Sequence, residues 1–167
     1  MIVKRTVVMQ KDTSNINQFL NELAVYGTSL ARGSIQQQTD RLEHLIDTLT
    51  DIDCQDKKGR TLLSIAVQQY KPTVVKLLLE KGANPNIEDY SGVPPLSLVF
   101  LKQTKNTEEI IKLLLRYGAD PTLGKTPKHA PLYYAKLTGS PQNQVELLQT
   151  AEAKLCSNFQ NNDSKEQ

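Results

Sequence analysis

Two stretches of this 167-residue chain are nearly the same: "KLLLEKGANPN" (Lys76 to Asn86) returns as "KLLLRYGADPT" (Lys112 to Thr122), displaced by 36 residues. Self-similarity at a fixed period constrains a fold strongly, because each unit is one supersecondary element that cannot bury its apolar face alone and must stack on its neighbours. Upstream the likeness continues at a shift of 33, where "DKKGRTLLSIAV" (Asp56 to Val67) matches "DYSGVPPLSLVF" (Asp89 to Phe100). The unit is therefore 33 residues long. Three extra residues around "KQTKN", between Val99 and Ile110, account for the change to 36 and fall between two helices.

The repeat also disposes of a motif that points elsewhere. "YGADPTLGKT" (Tyr117 to Thr126) ends in the Gly-Lys-Thr of a nucleotide-binding P-loop. That loop needs four residues between its first Gly and the Gly-Lys-Thr, and it follows a buried strand. Between Gly118 and Gly124 there are five, and the preceding "EEIIKLLLR" is apolar at helical spacing. Gly82 holds the same place in the earlier copy, where no Gly-Lys-Thr follows, so Gly118 serves to end a helix in the left-handed conformation. No nucleotide is expected there.

A chain of this length forms one domain with a real core, and the composition says of what. Hydrophobic residues make up 38%, aromatics only 5%, and Trp is absent, so the core is aliphatic and suited to packed helices. Twenty Lys and Arg against 18 Asp and Glu, with no long run of either sign, leave no footprint for nucleic acid or an anionic membrane. Cys54 and Cys156 stand far apart with no Cys-x-x-Cys, which reads as reduced intracellular thiols. Lys4 and Arg5 precede no apolar stretch of signal-peptide length, nothing approaches a membrane span, and no lipidation box is present. A cytoplasmic protein is expected, and Asn162-Asp163-Ser164 is discounted as a glycosylation acceptor. His44 and His129 have no Ser or Cys at motif spacing, and Glu108 and Glu109 read as a helix's first turn. No catalytic residue, metal or cofactor is expected.

The unit resembles the ankyrin repeat, roughly Asp-x-x-Gly-x-Thr-Pro-Leu-His-x-Ala, an apolar helix, then Gly-Ala-x-x-Asn. Asp56, Gly59, Thr61, Leu63, Ala66, Val74, Val75, Leu77 to Leu79, Gly82, Ala83 and Asn86 fit in register. The resemblance implies an all-α solenoid of helix-turn-helix repeats with β-turn finger loops. Full repeats are expected at 56–88 and at 89–124, the second carrying the insertion. A C-terminal capping repeat follows at 125–155, with Lys128 at the turn Gly and Glu152 at the helix-stop Gly, and then a disordered tail at 156–167. Before them, 15–55 reads as degenerate capping helices, with Ile16, Phe19, Leu20 and Leu23 on one face and Leu42, Leu45, Ile46 and Leu49 on the other helix's inward stripe. The segment 1–14, including Ile2 to Met9, is left undecided. Thr61 is expected to cap a short helix and Gly59 to take a positive φ. With Pro94 for Thr61 and Val99 for Ala66, the second unit's first helix is expected to start later and pack wider. The family's bridging His is replaced by Ser64 and Ser97.

Such a scaffold offers no enclosed pocket for chemistry, and the resemblance implies recognition of another protein, through finger tips and the first helix of each pair. Carried over by register, the partner-binding candidates are Lys57, Lys58, Arg60, Gln68 and Gln69, then Tyr90, Ser91, Val93, Leu101 and Lys102, then Thr126, Pro127, His129, Leu137 and Thr138. Arg60, Tyr90 and Leu101 stand out by residue type. Finger charges alternate along the row, from Lys57, Lys58 and Arg60 to Glu88 and Asp89 to Lys125, Lys128 and His129, matching a partner of mixed charge. The chain is expected to be a non-catalytic binding module, monomeric when free. The alternatives are a regulatory or inhibitory subunit of an enzyme complex, or a bacterial effector translocated into a host cell to act on host proteins.

Overall fold

The computed structural model describes residues 16–28 and 31–163, the side chains of 158–163 excepted. The segment 1–14 and the end of the chain beyond Asp163 lie outside the described residues. The elements are α1 (16–25), α2 (Ile35–Asp47), α3 (Leu62–Gln68), α4 (Pro72–Glu80), α5 (Pro95–Leu98), which tightens into a 3₁₀ turn at Val99–Leu101, α6 (Thr107–Arg116), α7 (Pro131–Leu137) and α8 (Gln142–Asp163). A short 3₁₀ turn, Pro127–His129, precedes α7. Every element among the described residues is helical or a turn.

Local chemistry places the boundaries. Thr61 sits in extended backbone and its hydroxyl accepts from the Ser64 amide at 3.2 Å, satisfying one of the free N–H groups at the start of α3. Ser34 and Gln37 form a reciprocal capping box at the start of α2. α5 does not start late. Pro95 stands in register with Leu62, and a proline at the first helical position brings a helix-ready φ and no N–H to satisfy. What changes is the other end, where α5 gives way after four residues to the 3₁₀ turn.

The helices form two rows. α3, α5 and α7 pack side by side in one, α2, α4, α6 and α8 in the other; α3 also packs on α4 and α7 on α8, while α6 is met by the 3₁₀ turn that follows α5. Between the rows lies the core, whose columns follow the repeat register: Leu78, Leu114 and Leu148 are fully buried, as are Val75 and Ile111, and all but one of Val74, Ile110 and Gln144 are apolar. Gln144, 5% exposed, is the exception, and its Oε1 has no hydrogen-bond partner. Gln38 makes the contrast. Equally buried, it accepts from the Gly27 amide at 2.8 Å and donates to the Gly33 carbonyl at 3.0 Å, pinning the chain between α1 and α2.

Helix stops recur too. Gly82 (φ 91°) and Gly118 (φ 86°) follow α4 and α6, and the next amide, of Ala83 or Ala119, reaches back to the carbonyl of Leu78 or Leu114. Glu152 occupies the third such position. With neither Gly nor Pro there, α8 runs on to Asp163, so the tail expected to be disordered is helical through 156–163.

Polar bridges fix how far each repeat turns on the last. Asn86 donates through Nδ2 to the Gly118 carbonyl at 2.9 Å and accepts from the Asp120 amide at 2.8 Å. Tyr70, left-handed at φ 53°, links α3 to α4 at the position Gly139 takes two pairs later. A side chain costs energy in that conformation. Tyr70 offsets it with three bonds into the next repeat: its hydroxyl donates to the Val99 carbonyl and accepts from the Lys102 amide, and its carbonyl accepts from Asn106 Nδ2.

Leu78→Ala and Leu114→Ala should each lower unfolding stability by about 2 to 5 kcal/mol through cavities between repeats. Gly82→Ala and Gly118→Ala should cost about 1 to 2 kcal/mol, a conformational cost alone, since an added Cβ meets no atom within 4 Å at either site. Urea midpoints equal to the parent's for these four would contradict the register. Gln144→Leu should be neutral or raise stability by about 1 kcal/mol, because it removes an unpaired buried carbonyl from an aliphatic column; a loss of more than that would show that the amide is needed.

Candidate partner-binding surface

The first two fingers are turns closed on their own aspartates, and Lys125 holds that position in the third. The Asp56 carboxylate accepts from the amides of Lys58 (2.8 Å) and Arg60 (3.0 Å), and the Arg60 side chain adds contacts at 3.0 and 2.7 Å from Nε and Nη2. One unit later, Asp89 accepts from the amides of Ser91 (2.9 Å) and Val93 (3.1 Å). Gly59 (φ 78°) and Gly92 (φ 82°) carry the turns. The fingers then stack: the Tyr90 amide donates to the Lys58 carbonyl at 3.0 Å, and the Lys125 amide to the Gly92 carbonyl at 3.2 Å. The Tyr90 ring covers Gly59 and the Lys125 stem covers Gly92 so closely that neither glycine has room for a Cβ.

The expected site residues divide on this frame. Tyr90 is 67% exposed at the second finger, and Leu101 and Leu137, in register at the ends of the first helices, are 55% and 66% exposed. Lys57, Lys58, Ser91, Lys102, Thr126, Pro127 and Thr138 are exposed along the same fingers and helix ends, with Gln68, Gln69 and His129 half-buried. His129 gives its carbonyl to the Ser97 hydroxyl at 2.6 Å, so the serine replacing the bridging His joins α5 to the third unit, whereas Ser64 only donates to Thr61 within its own helix start.

Three expectations are corrected. Val93 is 8% exposed and belongs to the core, because its amide is drawn inward by Asp89. Arg60 is clamped by Asp56 instead of free for a partner. The alternation of finger charge is blunted, since Asp89 is bonded to its turn and Glu88 is half-buried with Oε1 enclosed. The sequence signal for this was present: an Asp two and four residues before the turn amides is a turn-capping residue before it is a surface charge.

Gly124-Lys125-Thr126 lies in the loop between α6 and α7, where the Lys125 amide is already bonded to Gly92 and the Thr126 hydroxyl lies 3.4 Å from His129 Nδ1. It borders an open hollow of about 510 Å³ at the end of the stack, with Leu132, Tyr133, Lys136 and Glu152. Among the described residues no cluster of His, Cys, Asp and Glu could hold a metal ion, and no helix is long and apolar enough to cross a membrane.

The family model for ankyrin repeats in three copies matches residues 30–125, more than half of the chain. The chain therefore belongs to the ankyrin repeat family. It is 40% identical over 112 residues to a putative ankyrin repeat protein of Rickettsia bellii, covering 60% of this chain and 32% of that protein. It is 33% identical over 92 residues to human ankyrin repeat domain-containing protein 63, covering 53% and 23%. The chain thus spans a third or less of these relatives. Among solved structures, an ankyrin repeat domain from Acinetobacter baumannii aligns with a TM-score of 0.63 at 24% identity, over 78% of this chain and 63% of that one. The ankyrin repeat domain of Bcl-3, a member of the IκB family, aligns with a TM-score of 0.57 at 29% identity, over 68% and 47%. Ankyrin repeats are generally protein–protein interaction modules, and the fold is typically non-catalytic.

Burial alone would raise the Asp56 pKa, but the Arg60 guanidinium and the finger amides outweigh it and hold the carboxyl below its ordinary value. A depressed carboxylate pKa gives stability that is present above the unfolded value and is lost as pH falls through the folded one. Asp56→Asn should therefore destabilise by about 1 to 3 kcal/mol at neutral pH, and the gap from the parent should shrink below about pH 4. A gap that is constant with pH would assign the loss to something other than the ionised carboxylate.

Proposed function

We propose that this chain is a non-catalytic module that binds another protein across its finger row and the ends of its first helices. The observation that carries the reading is the placement of exposed apolar side chains. Tyr90, Leu101 and Leu137 are the three most exposed large apolar residues among those described, and all three occupy repeat positions on the finger and first-helix side. Along α4 and α6 the second-helix side differs: Lys76 with Glu80, Lys112 with Glu108, and Lys81 with Glu43 and Asp47 form a surface of paired charges, and the exposed Ile35 stands apart at the start of α2. Exposed pairs of that sort are neutral in energy and present no apolar anchor.

In this reading the binding units are the repeats at 56–88 and 89–124 with the cap at 125–155, and the contacts are Lys57, Lys58, Gln68, Gln69, Tyr90, Ser91, Leu101, Lys102 and His129. The module acts as a monomer in the cytoplasm and needs no cofactor. A likeness to a Rickettsia protein supports considering delivery into a host cell as the alternative setting for the same binding.

Affinity capture with the intact chain, followed by titration of the captured protein, tests the site. Tyr90→Ala, Leu101→Ala and Leu137→Ala should each weaken binding by about 1 to 3 kcal/mol with the fold retained. Lys76→Ala and Lys112→Ala should leave it unchanged. Losses confined to the two lysine variants would move the site to the second-helix face.

A further inference from the structure

We infer that the partner segment held by this surface is acidic with interspersed apolar residues. The inference rests on the binding reading above and adds the chemistry of the occupant. Across the fingers and first helices, residues 56–70, 89–102 and 125–138, the sequence carries seven Lys and Arg and only two acids, Asp56 and Asp89. The chain as a whole carries 20 against 18, so the rest of the molecule has the opposite excess. Both acids are half-buried and bonded to finger amides, whereas five of the lysines are exposed.

The cations are not neutralised in the same way. Arg60 is held by Asp56, and Lys136 lines the hollow at the end of the stack beside Glu152. Lys57, Lys58, Lys102, Lys125 and Lys128 remain exposed, and among the described residues none of them enters an ion pair. Finger stacking brings four of these into one row: the Lys58 carbonyl is bonded to Tyr90, and Lys125 lies on Gly92 of the same second finger. Lys102 adds a charge next to Leu101 at the far end of the first helix. Uniform sign along a row, with leucines beside it, complements carboxylates interleaved with apolar anchors.

A polyanion without apolar groups fits less well. Nucleic acid is gripped best by arginine forks and by stacking aromatics, whereas the one arginine here is occupied and Tyr90, 67% exposed, lies with its ring against Gly59.

Selection of random displayed peptides against the intact chain tests the inference, with enriched peptides synthesised, labelled and titrated by fluorescence anisotropy. The expected pool has a net negative charge and contains leucine or aromatic residues. Binding should weaken about tenfold in Lys58→Glu and Lys125→Glu, and should weaken with added salt. Leu101→Asp and Leu137→Asp should weaken it likewise, with Lys112→Ala unchanged and circular dichroism showing all variants folded. A pool of neutral or basic peptides that still responds to Leu101→Asp would overturn the acidic chemistry while sustaining the binding surface. Peptides insensitive to all four variants would overturn the surface itself, and so would the absence of any enriched peptide. Labelled single-stranded or duplex DNA that binds more tightly than the enriched peptides, with loss in Lys58→Glu and Lys125→Glu, would replace the protein partner by nucleic acid.

Discussion

Everything in this structure depends on burying both sides of helices that are apolar on more than one face. α4 has five buried residues in nine, on faces that no single neighbour could cover. It is sheltered only because α2 and α6 lie on either side of it and α3 lies across it. The stack is therefore a chain of mutual coverings, each contributing through adjacent repeats alone. Its weak points are its ends. At the first, Lys71 reaches from the start of α4 to the Tyr26 carbonyl at 2.6 Å and ties α1 to the repeats. At the other, the column of Val74 and Ile110 finishes on Gln144, and α7 turns Tyr133 and Lys136 to solvent where Ser64 and Val67 are buried in the first repeat. A terminal unit has nothing to stack on, and a polar outer face keeps it in water.

Hydrophobic columns leave the rotation between repeats loosely specified, and directional bonds supply what they lack. Asn86, Tyr70, Ser97 and the finger amides each join one unit to the next through a hydrogen bond whose geometry admits little slippage. Asp53 does the same one unit earlier than Asn86, accepting from the Asn84 amide at 2.9 Å. The three-residue insertion is absorbed by the same means. Thr104 and Thr107 close it on themselves, and Gln103 reaches Ser140 of the third unit.

What the sequence made legible followed from spacing. The repeat shift identified Gly82 and Gly118 as helix stops, Thr61 as a cap and the aliphatic columns as core, since period and burial are consequences of one geometry. What escaped it depended on where individual polar atoms point. Nothing in "DKKGR" distinguishes an arginine offered to a partner from one folded back on Asp56, and Val93 looks like a finger residue until the turn draws it inward. The length of α8 was also hidden, because a polar tail can stay helical when no breaker interrupts it and the helix is already nucleated by packing. Tyr70 is the clearest miss: no spacing marks it, and only its bonds to Val99, Lys102 and Asn106 reveal that the tyrosine holds two repeats together.

The same device that makes the fingers stable gives the surface its character. In the first two fingers an aspartate drawn onto the turn amides sits partly behind the tip, while the tip residues stay outside. The first finger has lysines at its tip, the second Tyr90 and Ser91, and the third unit carries Lys125 where the aspartate stood in the other two. Specificity then rests on the positions that the scaffold leaves unconstrained: Tyr90 at the tip, Leu101 and Leu137 at the helix ends. Gln68 holds the register of the two leucines in the first repeat, so the apolar stripe begins only at the second. On the proposed binding surface, a partner sits toward the C-terminal half of the row and takes its apolar contacts from two adjacent units, with the lysines of the first finger contributing attraction at its edge.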